Sequence, residues 1–317
     1  MKLSIIIPTY NRRNKLIRLI DSILASDISK YEYEIIVVDD KSTDDTLDIL
    51  RKKFSEHENI LIIEKNENKK KSDSVNLGYK KSRGDFLFFV DDDVVLAKNT
   101  ISELLNFCLK NGEKSFASPI MYEFNDRNKV WFAGLKINFW TTTGKFLNRN
   151  LKENKIKKKI IKTDAILTAF MVPRMIFSDI GYFNTELFPF QFEEMDFCVR
   201  SGFAGYELSV VTSVKLWHDH EKGVFLNNPW RLHYEVRNRI ISAKLWSKNY
   251  IQILISRIFS LIIPLSYIII KTLLFRDNYF QSIKSIFLGI RDGIVISRKI
   301  KPYYKRSKEE LKFTPQK

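Results

Sequence analysis

The first hundred residues alternate short apolar runs with amphipathic stretches. Leu3–Tyr10 (LSIIIPTY), Tyr33–Asp40 (YEIIVVDD), Asn59–Glu64 (NILIIE) and Asp85–Asp93 (DFLFFVDDD) have the length and the β-branched or aromatic content of buried strands. Between them lie helical patterns. Asn11–Ser26 carries apolar residues at 16, 17, 19, 20, 23 and 24. Ser42 and Asp45 read as a capping box opening a helix through Phe54, with Leu47, Leu50 and Phe54 on one face. Ser74–Ser82 is a short helix stopped by Gly84. A Thr100/Glu103 box starts another, which runs to Asn111 before Gly112.

This order predicts an α/β fold with a mostly parallel, Rossmann-like sheet flanked by helices. Ligands of such sheets bind beyond the carboxyl ends of the strands. Three polar clusters fall there: Pro8-Thr9-Tyr10, Asp39-Asp40 and Asp91-Asp92-Asp93. One sheet edge would then collect up to five aspartates. No GxGxxG follows the first strand and no GxxxxGK[ST] occurs, so neither a dinucleotide fold nor a P-loop is supported.

The middle of the chain is less regular. SFASPIMYEF (115–124) and KVWFAGLKINFW (129–140) read as strands, and KENKIKKKIIK (152–162) as an exposed basic linker or hairpin. Beyond Trp230 the character changes. IFSLIIPLSYIII (258–270) holds 13 uncharged residues between Arg257 and Lys271. As a helix it spans about 20 Å at 1.5 Å per residue, short of the roughly 30 Å hydrocarbon core. Pro264 would kink it. Extension to 250–275 reaches spanning length with Arg257 and Lys271 snorkelling near the ends. An interfacial or re-entrant helix is expected rather than a span, and core packing is the alternative.

Charge sharpens that division. Trp230–Lys317 holds 18 Lys/Arg against 5 Asp/Glu, a net +13 out of the chain's +16. The rest is close to neutral, so the basic region suits an anionic membrane surface or nucleic acid. No nucleic-acid motif or basic–aromatic interleaving accompanies it, so no nucleic-acid partner is expected. Two cysteines without CxxC spacing argue against a zinc site or disulfide framework. No basic segment with a cleavable apolar core precedes the first strand, so no signal peptide is expected.

The acidic clusters are the candidate chemistry. Three adjacent carboxylates repel, and one takes up a proton unless a cation neutralises them. Their hard oxygens select Mg²⁺ or Mn²⁺. In an extended segment Asp91 and Asp93 point the same way, which suits a shared metal. Asp39 and Asp40 stand free if Ser42 caps the following helix, so a carboxylate there can accept from a nucleobase or ribose. In FEEMDFCVR (192–200), Glu193 and Asp196 share a helix face and Asp196 reaches Arg200 at i+4, leaving Glu194 free. His218 and His220 flank Asp219 and are metal-ligand candidates. The plain alternatives are a solvated strand end, an acidic helix start and surface histidines.

SIIIPTYNR, IIVVDDKSTDDT, SVNLGYKKSRGDFLFFVDDDV, FEEMDFCVR and the later His resemble, in order and spacing, a family 2 glycosyltransferase with the GT-A fold. HYEVRNRIISAKLW and IRDGI are similar to the rhamnosyltransferase-related branch. The resemblance implies a catalytic region over 1–240 and a basic, apolar, membrane-associating helical region over 241–317. It implies a nucleotide-sugar contacted by Pro8, Thr9, Tyr10, Arg12, Asp39, Asp73, Asp91 and Asp92. It implies Mg²⁺ or Mn²⁺ on Asp91, Asp93 and His218. A carboxylate of FEEMD would deprotonate the acceptor hydroxyl, and one displacement would invert the anomeric centre. Many members read Glu-Asp where this chain reads Glu193-Glu194. Position assigns the base to Glu194, with Glu193 as alternative. The acceptor would be a glycan or a lipid-linked sugar, at the cytoplasmic face of the cell membrane. The competing readings are a catalytically degenerate scaffold or glycan-binding subunit, and a nucleotidyltransferase. The latter usually needs a glycine-rich phosphate loop, which PTYNRRNK lacks.

Overall fold

A computed structural model describes residues 2–220, 228–274 and 279–314. The chain begins as β1 (Lys2–Thr9), α1 (Arg13–Leu24), β2 (Glu32–Asp39), α2 (Thr46–Lys53), β3 (Ile60–Glu64), α3 (Lys70–Lys81), β4 (Phe86–Val90), β5 (Val94–Leu96) and α4 (Thr100–Asn111). It continues as β6 (Ser115–Glu123), β7 (Asp126–Phe132), β8 (Leu135–Asn138), β9 (Thr143–Phe146), β10 (Ile160–Thr163), β11 (Ala169–Pro173), α5 (Arg174–Ile180), α6 (Glu193–Phe203) and β12 (Glu207–His218). Three longer helices follow: α7 (Pro229–Leu245), α8 (Tyr250–Leu274) and α9 (Tyr279–Lys299).

The main sheet runs β10-β12-β6-β11-β4-β1-β2-β3. Strands β4, β1, β2 and β3 are mutually parallel, and β11 inserts antiparallel between β4 and β6. Ile5, Ile6 and Ile7 are all fully buried, so β1 is covered on both faces, as a continuous apolar run requires. The chain leaves β1 towards β2 and β3, then returns to β1's other side as β4. The carboxyl ends of β1 and β4 therefore form a topological switch point, where open α/β sheets place ligands.

Helix α3 lies close on β1. A Cβ at Gly78 would sit 2.5 Å from Ile6 Cγ2 and 3.3 Å from Val38 Cγ2, so only glycine permits this approach. That contact fixes the helix whose first turn reaches the switch point. Helix α9 packs on α7 in the same way: Gly289 and Gly293 face the His233 and Arg237 carbonyls, where a Cβ would come within 2.7 and 2.9 Å.

The carboxyl-terminal segment returns to the sheet body. Asp196 of α6 pairs with Arg200 at 2.9 Å and accepts from the Tyr303 hydroxyl at 2.5 Å and Trp246 Nε1 at 3.3 Å. Arg200 in turn donates to the carbonyls of Ile180, Tyr182 and Leu311. Phe313 bridges the backbone of Ile180 and Tyr182.

Several local expectations are corrected. Ser42 does not cap α2. Its N–H and hydroxyl both donate to Asp39, and Asp44 accepts from the N–H and hydroxyl of Thr46 instead. The Thr100 hydroxyl goes to the Lys215 carbonyl, so no capping box opens α4. Helix α3 starts four residues earlier than expected. KVWFAGLKINFW splits into β7 and β8 at Gly134, whose φ of +108° suits glycine. The basic stretch 152–162 contributes a short helical turn and the start of β10. Helix α8 continues through Pro264, and the side chain of Lys271 lies outside the described residues.

Gly78→Ala tests the α3–β1 contact. Alanine ordinarily favours a helix interior by about 1 kcal/mol. Here overpacking is expected to win and to destabilise the protein by about 1–3 kcal/mol, read as a lower urea midpoint.

Candidate active site

Three loops at the switch point carry acidic groups, and most of these groups meet a cation or hydroxyl from another loop. At the end of β1, the Thr9 hydroxyl donates to Asp92 Oδ2 at 2.7 Å. Arg12 Nη1 reaches Asp92 Oδ1 at 3.0 Å and Asp93 Oδ2 at 2.6 Å. Pro8 is buried in the β1–β2 pairing, whereas Tyr10 is 43% exposed at the mouth. The segment after β4 turns at Asp92-Asp93 rather than staying extended. The guanidinium gathers those two carboxylates, so Asp91 and Asp93 are not paired on one partner. Burial pushes the Asp92 carboxyl up, Arg12 opposes this and Asp93 adds to it, leaving it at about 6.

β12 supplies the next group. His218 pairs in register with Val94, and Asp219 N–H donates to the Asp93 carbonyl at 2.8 Å. His218 Nε2 thus lies 3.2 Å from the buried Asp93 Oδ1. Burial would raise the Asp93 carboxyl, but His218, Arg12 and Lys15 outweigh it and hold the group below the usual range. Trp131 packs edge-on against His218 at 4.2 Å between ring centroids. Among the described residues no three His, Cys, Asp or Glu side chains converge as a complete metal cage. Two do meet a narrower requirement. Neighbouring ligands of an octahedral cation with bonds of about 2.1 Å stand roughly 3 Å apart, the spacing of Asp93 Oδ1 and His218 Nε2. A hard divalent ion would fit between these two atoms.

A second cluster centres on Lys71, which the sequence reading missed. Its ammonium lies 2.7 Å from Asp91, 2.8 Å from Glu194 and 3.7 Å from Glu193. Burial alone would lower its pKa, but Asp91, Glu194 and Glu193 raise it well above the ordinary value, so it stays charged. Thr168 makes a parallel link: its N–H donates to both Glu194 oxygens at 3.1 Å, and its carbonyl accepts from Asp91 N–H at 2.9 Å. Thr168 has φ +66°, and Gln191 and Phe192, just before α6, have +61° and +67°. Left-handed backbone at non-glycine residues costs free energy and clusters at functional sites. Burial raises Glu194, Lys71 opposes, and Asp91 and Glu193 add to the rise, leaving it at about 7. Glu193 is raised too, by burial first, and its Oε2 is enclosed without a hydrogen-bond partner.

Asp39 and Asp40 are not free. Asp39 is fully buried on Ser42. Asp40 accepts from Lys65 Nζ at 2.5 Å and from the backbone N–H groups of Lys69 and Lys70. Lys65 also holds Asp73 at 2.7 Å in the first turn of α3. The structure thus joins Thr9, Arg12, Asp92, Asp93 and His218 in one cluster, and Asp91, Glu193 and Glu194 in another. Asp39 and Asp73 lie on the β2 side.

Residues 4–181 match the model of "Glycosyl transferase family 2", more than half of the chain. The chain belongs to glycosyl transferase family 2. It is 37% identical over 112 residues to the poly(ribitol-phosphate) beta-glucosyltransferase of Bacillus spizizenii, covering 35% of this chain and 18% of that protein. The match to the poly(ribitol-phosphate) beta-N-acetylglucosaminyltransferase TarS of Staphylococcus aureus spans 19% of that protein at 35% identity. This chain therefore matches under a fifth of the length of these relatives. The fold is that of S. aureus TarS 1–349 in complex with UDP-GlcNAc, with a TM-score of 0.58 at 19% identity, over 95% of this chain and 84% of that one. GalNAc-T7 with UDP, GalNAc and Mn²⁺ superposes with a TM-score of 0.63 at 17% identity, over 77% of this chain and 49% of that one.

Arg12→Met would leave two buried carboxylates without their cation. The expected loss is about 3 kcal/mol of stability at pH 7. A carboxyl raised by burial destabilises as pH rises through its folded pKa, so the deficit shrinks from pH 7 to pH 5 as Asp92 takes up a proton. Urea unfolding at the two pH values measures both.

Proposed function

We propose that this protein is an inverting glycosyltransferase, moving a sugar from a nucleoside-diphosphate donor to a hydroxyl of a glycan or lipid-linked acceptor. The observation that carries the reading is Glu194, a largely enclosed carboxylate at about 7, tied to the aspartate triplet at the switch point. A general base works best with a pKa near the operating pH. Family membership and the nucleotide-sugar named in the TarS complex support a sugar donor. The glucosyltransferase name of one relative and the UDP-GlcNAc of the TarS complex make UDP-glucose and UDP-GlcNAc the first donors to test, with dTDP-deoxyhexoses beside them.

In this mechanism Tyr10, Pro8 and Thr9 line the nucleoside, and Asp39 holds the neighbouring loop through Ser42. Asp73 sits at the start of the helix facing the nucleotide. Asp93 and His218 would hold Mg²⁺ or Mn²⁺, and Asp91 is held by Lys71 in the neighbouring cluster. When bound, the ion neutralises charge on the departing diphosphate. Glu194 accepts the proton of the acceptor hydroxyl as that oxygen attacks the anomeric carbon from the face opposite the leaving group. A single displacement inverts the centre. Glu194 is preferred to Glu193 because its carboxylate is oriented by Lys71 and Thr168 and is the less enclosed of the two. Glu194→Gln is expected to lower transfer by at least about 100-fold while donor binding by calorimetry stays unchanged. Normal turnover would refute the assignment. In the wild type, kcat/KM should fall about tenfold per pH unit below about 7, because the protonated carboxyl cannot accept.

The reading extends to a membrane surface at the cytoplasmic face. Among the described residues no helix is long and apolar enough to cross a membrane. Helix α8 instead presents Ile251, Leu254, Ile258, Ile262 and Leu265 on one face, each 46–62% exposed. Spacings of three and four make this an amphipathic stripe, and the surrounding region carries the chain's excess of Lys and Arg. Cutting the chain before α8 would also remove Tyr303 from Asp196, so the test uses the full chain. Leu254→Glu with Ile258→Glu should abolish co-sedimentation with phosphatidylserine-containing vesicles, which carry the anionic charge of a cytoplasmic leaflet. Equal sedimentation would rule the surface out.

A further inference from the structure

We propose that Lys71 is a positioning residue that fixes the Glu194 carboxylate relative to Asp91, so that the base and the donor end of the site are held as one unit. The inference rests on the reading of Glu194 as base and gives its neighbour Lys71 a role in turnover that can be tested separately.

Two independent bridges join Asp91 to Glu194. One is backbone: Thr168 donates to Glu194 and accepts from Asp91 N–H. The other is the Lys71 ammonium, at 2.7 Å from Asp91 and 2.8 Å from Glu194. The backbone bridge alone leaves Glu194 short of orientation, because the Thr168 N–H is shared equally, at 3.1 Å, between the two carboxylate oxygens. A shared donor does not choose which oxygen faces the acceptor. Lys71 breaks the tie, since it binds Oε1 and leaves Oε2 as the oxygen with basicity to spare.

The placement of Lys71 is also unusual for a merely structural charge. It stands in the first turn of α3, directly after Lys69 and Lys70. A helix amino terminus disfavours cations. The position becomes favourable only through the carboxylates of two other elements, the turn after β4 and helix α6. Lys70, the preceding residue, is held in the left-handed region at φ +73°. A shift of a reacting group by 1 Å costs about 100-fold in rate, so loss of the tie is expected to show in turnover.

The experiment compares Lys71→Met, Lys71→Arg and Glu194→Gln with the wild type, using UDP-glucose and UDP-GlcNAc with Mn²⁺ and a bacterial membrane fraction as acceptor. Melting curves establish that each variant is folded, and Lys71→Gln replaces Met should the apolar variant fail to fold. The expected result for Lys71→Met is kcat lower by about 30-fold or more, with donor Kd by calorimetry within threefold of wild type. The acid limb of the rate profile should move to higher pH as Glu194 loses its cation. Lys71→Arg, which keeps the charge, should recover most of kcat. A Lys71→Met enzyme with wild-type kcat and pH limb overturns the inference. So does a loss confined to donor Kd, which would make Lys71 a donor ligand instead. Failure of the underlying reading looks different: Glu194→Gln would then turn over normally, or the wild type would release no nucleoside diphosphate.

Discussion

The structure depends on neutralising a crowd of carboxylates at one sheet edge. Parallel strands all end on the same side, so Asp39, Asp40 and Asp91 to Asp93 are forced together, and α6 adds Glu193 and Glu194. In a partly dry crevice their repulsion would be severe. Three cations from three different loops answer it: Arg12 after β1, Lys65 after β3 and Lys71 at the start of α3. Each spans at least two acidic groups. The loops are thereby tied to one another across the switch point. The same arrangement leaves Glu194 and Asp92 high in pKa and Asp93 low, which is a division of roles set by surroundings rather than by residue type.

The second tie runs from α6 to the end of the chain. Asp196 lies two residues beyond Glu194, yet it serves packing. A fully buried carboxylate is tolerable only with its charge paired and its lone pairs used, and Arg200, Tyr303 and Trp246 meet both conditions. The helix that carries the candidate base is therefore braced by residues from α7 and from the segment after α9. That bracing makes the carboxyl-terminal helices part of the site's support.

The degenerate-scaffold reading has to accommodate these observations. An unused site drifts towards a satisfied, apolar-compatible interior, because enclosed and unpartnered polar atoms cost free energy. Here Glu193 Oε2 remains enclosed without a hydrogen-bond donor, and several non-glycine residues around the site hold left-handed backbone. The nucleotidyltransferase reading finds no glycine-rich phosphate loop at the end of β1, where Thr9 and Arg12 are instead committed to Asp92 and Asp93.

The sequence by itself determined the alternation of strands and helices, the strand ends where acidic residues gather, the α6 face with its Asp196–Arg200 pair, and the family resemblance. Those features are local: apolar runs, helical spacing and i, i+4 contacts are written within a few neighbouring residues. Tertiary structure decided who neutralises whom. Ser42 read as a helix cap but serves Asp39, and Thr100 likewise serves Lys215, because short hydroxyls take whichever partner the fold brings closest. Asp91 and Asp93 read as a pair, yet Arg12 turns the segment and separates them. Lys71 was hidden in a lysine run placed before the helix, and its misfit at a helix start shows only once the structure begins the helix at Lys70. Its partners lie 20 and 123 residues away, and only the packing of α3 on β1, and of α6 beside them, brings those charges within reach.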